Sequence, residues 1–284
     1  MKKINLKRII RRVDDLPTLP MTVLKITELV NNPKSSARDL AAVITDDQVL
    51  TARLLRLVNS AFYGFPQRIS TVTGAIVLLG FDAIRNLLLT TSLFDFFSAS
   101  QKAHNVSREE LWDHSLGCAV GAKVIGRRIR YDKVEELFVA GLLHDIGKIV
   151  EMLFLPDVFP KAVAHAEKEH TLLIDAESAM LEFTHADVGR LLAERWNLPA
   201  KLVTVIAGHH QPADAAPFAL EASVIHLADI LCRALCRGSG GDSTMPALDA
   251  DAWEMLQMGP DDIGPILEEM ETEFVDISPF TQTV

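Results

Sequence analysis

The sequence predicts an all-α protein of two helical lobes, and three observations carry that reading. Nearly every segment repeats its apolar residues with helical period, and alternating β-type runs bounded by turn pairs are missing. Hydrophobic side chains make up 49% of the chain, enough for a substantial core and too many for a protein dominated by disorder. The punctuation between segments is short, as between packed helices.

The chain opens with six bases (Lys2, Lys3, Lys7, Arg8, Arg11, Arg12), read as a solvated helical face with Ile9, Ile10 and Val13 packed inward. Leu16-Pro-Thr-Leu-Pro20 makes an extended lead-in, because each proline pushes the residue before it out of the helical region. Amphipathic stretches follow at 21–31, 37–44 and 47–59. Asn59-Ser-Ala-Phe-Tyr-Gly-Phe-Pro66 breaks the pattern, and helices resume at 71–79 and 81–97. The polar stretch Ser98 to Val106 is the expected boundary between a first lobe, 1–100, and a second, 101–237.

Past it, Ser107-Arg-Glu-Glu110 is a capping-box signature that opens a long helix to about 130. Asp132 restarts a helix that carries Leu137 to Leu155, and further helices are expected at 157–169, 171–182, 184–196, 198–209 and 217–236. Gly238-Ser-Gly-Gly241 reads as a flexible linker into an acidic tail, 238–284, with helical patterns near 250–257 and 263–275. Trp253, Leu256, Ile266 and Phe274 are expected to pack that tail while its acids face outward.

Charge is distributed unevenly. The formal net charge is -10, yet the residues from Gly238 onward hold 11 acids and no Lys or Arg, leaving 27 acids against all 28 bases before them. A near-neutral body has no basic field with which to capture nucleic acid, so Arg53, Arg56, Arg68 and Arg85 of the first lobe do not make nucleic acid an expected partner. Three cysteines, Cys118, Cys232 and Cys236, are too few and too scattered for a disulfide framework. No apolar run approaches the roughly 18 residues of a membrane span, and no secretory h-region is present. A cytoplasmic protein is expected.

His144-Asp145 lies in Gly141-Leu-Leu-His-Asp-Ile-Gly-Lys148, an otherwise apolar segment that should run through the core. A buried His and Asp cost several kcal/mol unless something satisfies them, and a bound metal does so directly. A mixed imidazole and carboxylate set points to a transition metal. The other candidates also sit in amphipathic helices. His114 is in the helix opened by Ser107, His185 begins Thr184-His-Ala-Asp-Val-Gly-Arg, His209-His210 closes the next helix, and Asp229 lies on Val224-Ile-His-Leu-Ala-Asp.

That order of residues resembles the HD superfamily of metal-dependent phosphohydrolases. Leu16-Pro-Thr-Leu-Pro20, Ala52-Arg-Leu-Leu-Arg-Leu-Val-Asn-Ser-Ala-Phe-Tyr-Gly64, Ala75-Ile-Val-Leu-Leu-Gly80, and Trp196-Asn-Leu-Pro199 with His209-His-Gln-Pro212 are similar to the HDOD domain, an HD-related output domain of bacterial signalling. The resemblance implies an N-terminal helical lobe followed by an HD-type helical bundle. It also implies one ion on His114, His144, Asp145 and Asp229, with Asp145 bridging to a second ion on His185, His209 and His210. Manganese, iron, nickel or zinc would suit. Lys148, one turn beyond His144, is placed to meet a phosphate oxygen beside Asp145 in a catalytic role, or to be an ordinary surface or capping lysine.

The sequence departs from the HD-GYP phosphodiesterases, since Gln211-Pro-Ala-Asp-Ala-Ala-Pro217 stands where their Gly-x-Gly-Tyr-Pro loop follows. The expected function is therefore a signal-transduction output module that binds metal and acts on kinases, response regulators or other signalling proteins. The alternative is a metal-dependent phosphohydrolase acting on a nucleotide or other phosphoester. Glu110 is explained by its capping box, and Glu177 is read as structural. His104, His165 and His170 read as exposed, His226, one turn before Asp229, as a minor alternative ligand, and Cys232 with Cys236 as core packing.

Overall fold

The computed structural model describes residues 107–282 and, before them, 25–88 apart from 27, 30, 31, 33, 61, 62, 82 and 86. Among the described residues the elements are helices and no strand, in keeping with the predicted fold class. They divide into two compact units, one drawn from 17–99 with 272–284 and the other from 100–271.

In the first unit, side-chain caps set where helices begin. Ser36 and Asp39 form a capping box ahead of α1 (Ala37–Thr45). Asp47 Oδ1 accepts from the amides of Val49 at 3.1 Å and Leu50 at 3.0 Å to open α2 (Gln48–Val58). Thr71 caps α3 (Val72–Leu79) through the amide of Gly74. Their apolar faces meet at Leu40, Ile44, Leu54, Leu57 and Ile76, all 2% exposed or less. Asn59 ends α2 and ties it to the approach to α3. Its amide donates to the carbonyls of Leu55 and Ile69, and its oxygen accepts from the Ile69 amide, each at 2.7 Å. The basic start, Leu16–Pro20, most of the predicted helix at 21–31, the later part of 81–97 and the Ser98–Val106 boundary lie outside the described residues.

The second unit is built on α4 (Arg108–Arg128), opened by the Ser107–Glu110 capping box. It packs against α5 (Val134–Leu143) and α11 (Ala219–Ala234). Between them come α6 (Ile146–Phe154), α7 (Phe159–Glu169), α8 (Leu173–Met180), α9 (His185–Arg195) and α10 (Ala200–Gly208). The single helix expected through Leu137–Leu155 is two helices. The chain turns at His144-Asp145, where Asp145 leaves helical geometry at φ -98°, ψ 13° and then starts α6. The uniformly apolar run carries no periodic signal at that break.

Where α6 crosses α9 the backbones touch. A Cβ on Gly147 would collide with the His185 carbonyl oxygen and lie 2.8 Å from the Gly189 amide nitrogen, so only glycine admits this crossing. The acidic tail continues as α12 (Ala250–Leu256) and α13 (Ile263–Gln282), longer than the predicted 263–275. Leu256, Ile266 and Phe274 are buried and Trp253 is half-buried. Arg127 meets Glu269 at 2.8 Å and Arg128 pairs with Asp262, so tail acids reach bases of α4. Among the described residues, no helix is long and apolar enough to cross a membrane.

Candidate metal centre

The turn between α5 and α6 puts the Asp145 carboxylate at the middle of the second unit, with imidazoles arriving from three other helix ends or faces. His114 projects from α4, His185 is the first residue of α9, His209 and His210 follow α10, and Asp229 projects from α11. Asp145 Oδ2 lies 3.2 Å from His144 Nε2 and 3.5 Å from His114 Nε2. Its other oxygen lies 3.4 Å from His185 Nε2 and 3.8 Å from His209 Nε2. His114 Nε2 also stands 3.0 Å from Asp229 Oδ1, and His185 Nε2 stands 2.9 Å from His210 Nε2. The seven residues expected to act together from the sequence therefore form one cluster, with Asp145 facing one group through each oxygen. All but His210, which is half-buried, are enclosed.

Partners behind the rings aim them. His144 Nδ1 is 2.6 Å from the Gly141 carbonyl and His209 Nδ1 is 2.8 Å from the Ile206 carbonyl. A carbonyl only accepts, so both Nδ1 atoms carry a proton, and Nε2 is the atom each ring turns toward the centre. Those two Nε2 atoms and Asp145 Oδ1 are buried with no hydrogen-bond partner. Leaving such atoms unsatisfied costs about 1–3 kcal/mol each, which a divalent ion would offset. Three sets of donor atoms lie mutually within 4.8 Å: His114, Cys118, His144 and Asp229; His144, Asp145 and His209; and His185, His209 and His210. The donor chemistry fits a transition ion, in one or two positions.

Charge in the cluster is strongly organised. Burial opposes ionisation of Asp145, but His144 and Lys148 more than offset it and hold its carboxyl well below the ordinary range. Asp229 is likewise held low against burial, chiefly by Arg233 and His114. Burial works against a charge on His114, yet its bonds to Asp145 and Asp229 push it well above the usual imidazole value. Burial, then the neighbouring histidines, drives His209 and His210 well below that value. Lys148, wholly enclosed, donates to Asp145 Oδ2 at 2.8 Å and stays charged because Asp145 and Asp242 outweigh its burial.

Other residues play supporting parts. Glu177 accepts from both the amide and Nδ1 of His185 at 2.8 Å, fixing that ring from behind. Glu110 completes its capping box as expected. His226 uses both nitrogens elsewhere, Nδ1 on the His209 carbonyl at 3.0 Å and Nε2 accepting from the Asp249 amide at 3.1 Å. Cys232 is buried against His114 while Cys236 is exposed, so the two do not form a pair. Hydrogen bonding to Cys118 and His114 lowers the Cys232 thiol to about 6 against its burial. His170 is exposed and His165 half-buried, and His104 lies outside the described residues. Arg85 is buried and does not share a surface with the exposed Arg56 and Arg68.

Three participants were not anticipated. Cys118, one turn beyond His114, brings a sulfur to the first donor set. Arg233, one turn beyond Asp229, clasps that carboxylate with two bonds of 2.8 and 2.9 Å. Each is four residues from a candidate ligand, the spacing that shares a helix face. The third is the segment read as an open linker, Gly238-Ser-Gly-Gly241, in which Gly240 and Gly241 are buried. A Cβ on Gly240 would stand 3.0 Å from Lys148 Nζ and 3.2 Å from Asp145 Oδ2.

Comparison with known proteins places this cluster in context. The HDOD domain family model matches residues 16–212, more than half the chain. An uncharacterised protein of Treponema pallidum (strain Nichols) is 29% identical over 203 residues, which are 70% of this chain and 38% of that relative's length. The chain thus spans well under half of the curated relative it matches. Among solved structures, an HDOD domain protein with unknown function from Geobacter sulfurreducens aligns with a TM-score of 0.79 at 29% identity, covering 98% of this chain and 96% of that one. A signal transduction candidate from Marinobacter aquaeolei VT8 (TM-score 0.75, 23% identity, 94% and 59% covered) shares the fold. So does a candidate phosphohydrolase from Shewanella amazonensis SB2B (TM-score 0.73, 23% identity, 96% and 97% covered).

Proposed function

The chain belongs to the HDOD domain family, and from that premise we propose that it is a bacterial signalling module that binds a divalent transition metal and acts by engaging other proteins. Kinases and response regulators are the class of partner such an output module would meet. The observation that carries this reading is the cover over the centre. Lys148 and Asp145, the two residues best suited to meet a phosphoester, are 0% and 1% exposed, with Gly240 laid against both. A centre closed in this way supports a structural or sensing ion better than rapid turnover.

A second reading, a metal-dependent phosphohydrolase, is favoured by the complete donor set and by the unpaired buried atoms of His144, Asp145 and His209. A bound divalent ion would supply Lewis acidity toward a phosphoester oxygen and an acidified water. The chain's own part would be to hold those ions with imidazoles fixed by backbone carbonyls, to keep Asp145 ionised, and to offer Lys148 as a cation to a phosphoryl oxygen.

Metal analysis of the purified chain, paired with turnover assays on bis-p-nitrophenyl phosphate after loading with manganese, iron, nickel or zinc, separates the two. Bound metal without turnover supports the signalling module. Hydrolysis that disappears in His144→Ala and Asp145→Ala would overturn it in favour of the enzyme.

A further inference from the structure

Asp242, the residue that ends the glycine-rich segment, is charged, yet its side chain is 3% exposed. Its Oδ1 accepts from the backbone amide of Leu173, the first residue of α8, at 2.6 Å. Its Oδ2 lies 3.0 Å from an Arg233 guanidinium nitrogen and 3.5 Å from Lys148 Nζ. The helix start, the guanidinium and the ammonium come from three separate helices and converge on one carboxylate. That is the donor arrangement of an oxyanion pocket, with an amide at a helix N-terminus and two cations around it.

Charge makes the seating of Asp242 conditional. Lys148 is already paired with Asp145 at 2.8 Å, and Arg233 with Asp229 through two bonds. Asp242 is thus a third carboxylate drawing on two cations that already have partners, so its seat depends on sharing Lys148 with Asp145 and Arg233 with Asp229. A divalent ion drawing on Asp145 and Asp229 would turn the same pocket net positive and suit it to an anion with more charge than one carboxylate.

The segment leading to Asp242 follows the mouth of the centre. Ser239 donates its amide to the Glu110 carbonyl at 2.9 Å. Gly238, at φ +63°, lies so close to Glu110 and His114 that a Cβ there would collide with their backbone. Gly240 passes over Lys148, Asp145 and His114, where a Cβ would meet the His114 ring at 3.3 Å. Glycine is required at 238, while at 240 a side chain would press on Lys148 and Asp145, because the backbone lies directly on the site. The Ser239 amide on Glu110 holds one end of it and the Asp242 carboxylate, on Leu173, Arg233 and Lys148, holds the other, so freeing that carboxylate releases one of its two ends.

We propose that Lys148, Arg233 and the Leu173 amide form a binding pocket for a phosphoryl group, and that Asp242 occupies it as an intramolecular stand-in which keeps the Gly238–Asp242 segment closed over the centre. A phosphorylated ligand engages the protein by displacing that carboxylate, and the segment lifts with it. No covalent step is involved. The inference deepens the reading of a covered, metal-binding module and rests on it.

The test uses the full chain, with inorganic phosphate and pyrophosphate as probes at fixed ionic strength. Isothermal titration compares the parent protein with Asp242→Asn, which keeps the size and the acceptor for Leu173 but removes the competing charge. The variant is expected to bind phosphate about tenfold more tightly, and Arg233→Gln in the same background should abolish the gain. Hydrogen exchange at Ser239 and Leu173 should quicken in the variant, and phosphate should quicken it at Ser239 in the parent. Should Asp242→Asn not fold, Gly240→Ala pushes the segment from Lys148 without altering charge and should raise phosphate affinity in the same direction. Equal affinities in the folded variants, or exchange at Ser239 unmoved by saturating phosphate, would overturn the proposal. Metal uptake with no change in phosphate affinity sinks the pocket and leaves the module reading standing; tighter phosphate binding in a chain that takes up no metal does the reverse.

Discussion

His114 Nε2 stands 3.0 Å from Asp229 Oδ1, joining α4 to α11 inside the second unit. The same carboxylate holds Arg233, so Asp229 answers two cationic groups that have little access to water. Removing it leaves both without their partner. Asp229→Ala should therefore cost about 3–5 kcal/mol, read as a shift in the urea midpoint in the presence of chelator. Arg233→Met, which removes a cation while keeping bulk, should cost clearly less. Equal costs would mean that packing, not charge pairing, sets the stability here.

The unpaired Nε2 atoms of His144 and His209 predict that metal stabilises the chain. Adding zinc, manganese, iron or nickel to chelator-treated protein at about a hundred times the dissociation constant should add about 2.7 kcal/mol. In a chain of this size that corresponds to roughly 5–10 °C in the unfolding temperature. Calorimetry reads it directly, and His144→Ala should remove the gain. A melting curve that none of the four ions moves would contradict the fit of the donor set.

The helices were legible where caps and period agree. Thr184 with Asp187 caps α9, and the structure has His185–Arg195 against an expected 184–196. The break at His144-Asp145 was not legible, because both sides of it are uniformly apolar and a period cannot be seen when every face is buried. The candidate ligands were visible as polar residues in apolar helices. Cys118 and Arg233 were not, since their positions gain meaning only once His114 and Asp229 are known to face the same interior. The glycines at 238–241 read as freedom of the backbone, whereas those at 238 and 240 serve close approach, a distinction composition does not carry.

Gly147 makes that second use of glycine testable. Its missing Cβ leaves room for the His185 carbonyl, a backbone atom that cannot swing aside. Gly147→Ala should destabilise the second unit by about 1–3 kcal/mol or more through overpacking, and should weaken metal binding by shifting His185. Gly264 in α13 is the control, because a Cβ there meets nothing within 4 Å. Gly264→Ala should stabilise by up to about 1 kcal/mol through helix propensity. Chemical denaturation of both variants decides whether the alanine at 147 is tolerated.

Glu151 predicts a pH dependence of its own. It is 1% exposed on α6 beside Glu177, and burial, then the charge of Glu177 and a hydrogen bond with it, push its pKa well above the ordinary carboxylate value. The folded state therefore keeps a proton that the unfolded chain has already released. Between the ordinary carboxyl value near 4.3 and the raised folded value the native state binds more protons. Stability from this group is thus full at low pH and is lost as pH rises through the folded value. Glu151→Gln removes the titration and supplies amide donors beside Glu177. Its stability should match the parent near pH 5 and exceed it increasingly toward pH 8, by about 1–3 kcal/mol, the cost of an unsatisfied buried polar group. Urea unfolding across that range measures it, and parallel pH profiles for the two proteins would show that Glu151 does not titrate with folding.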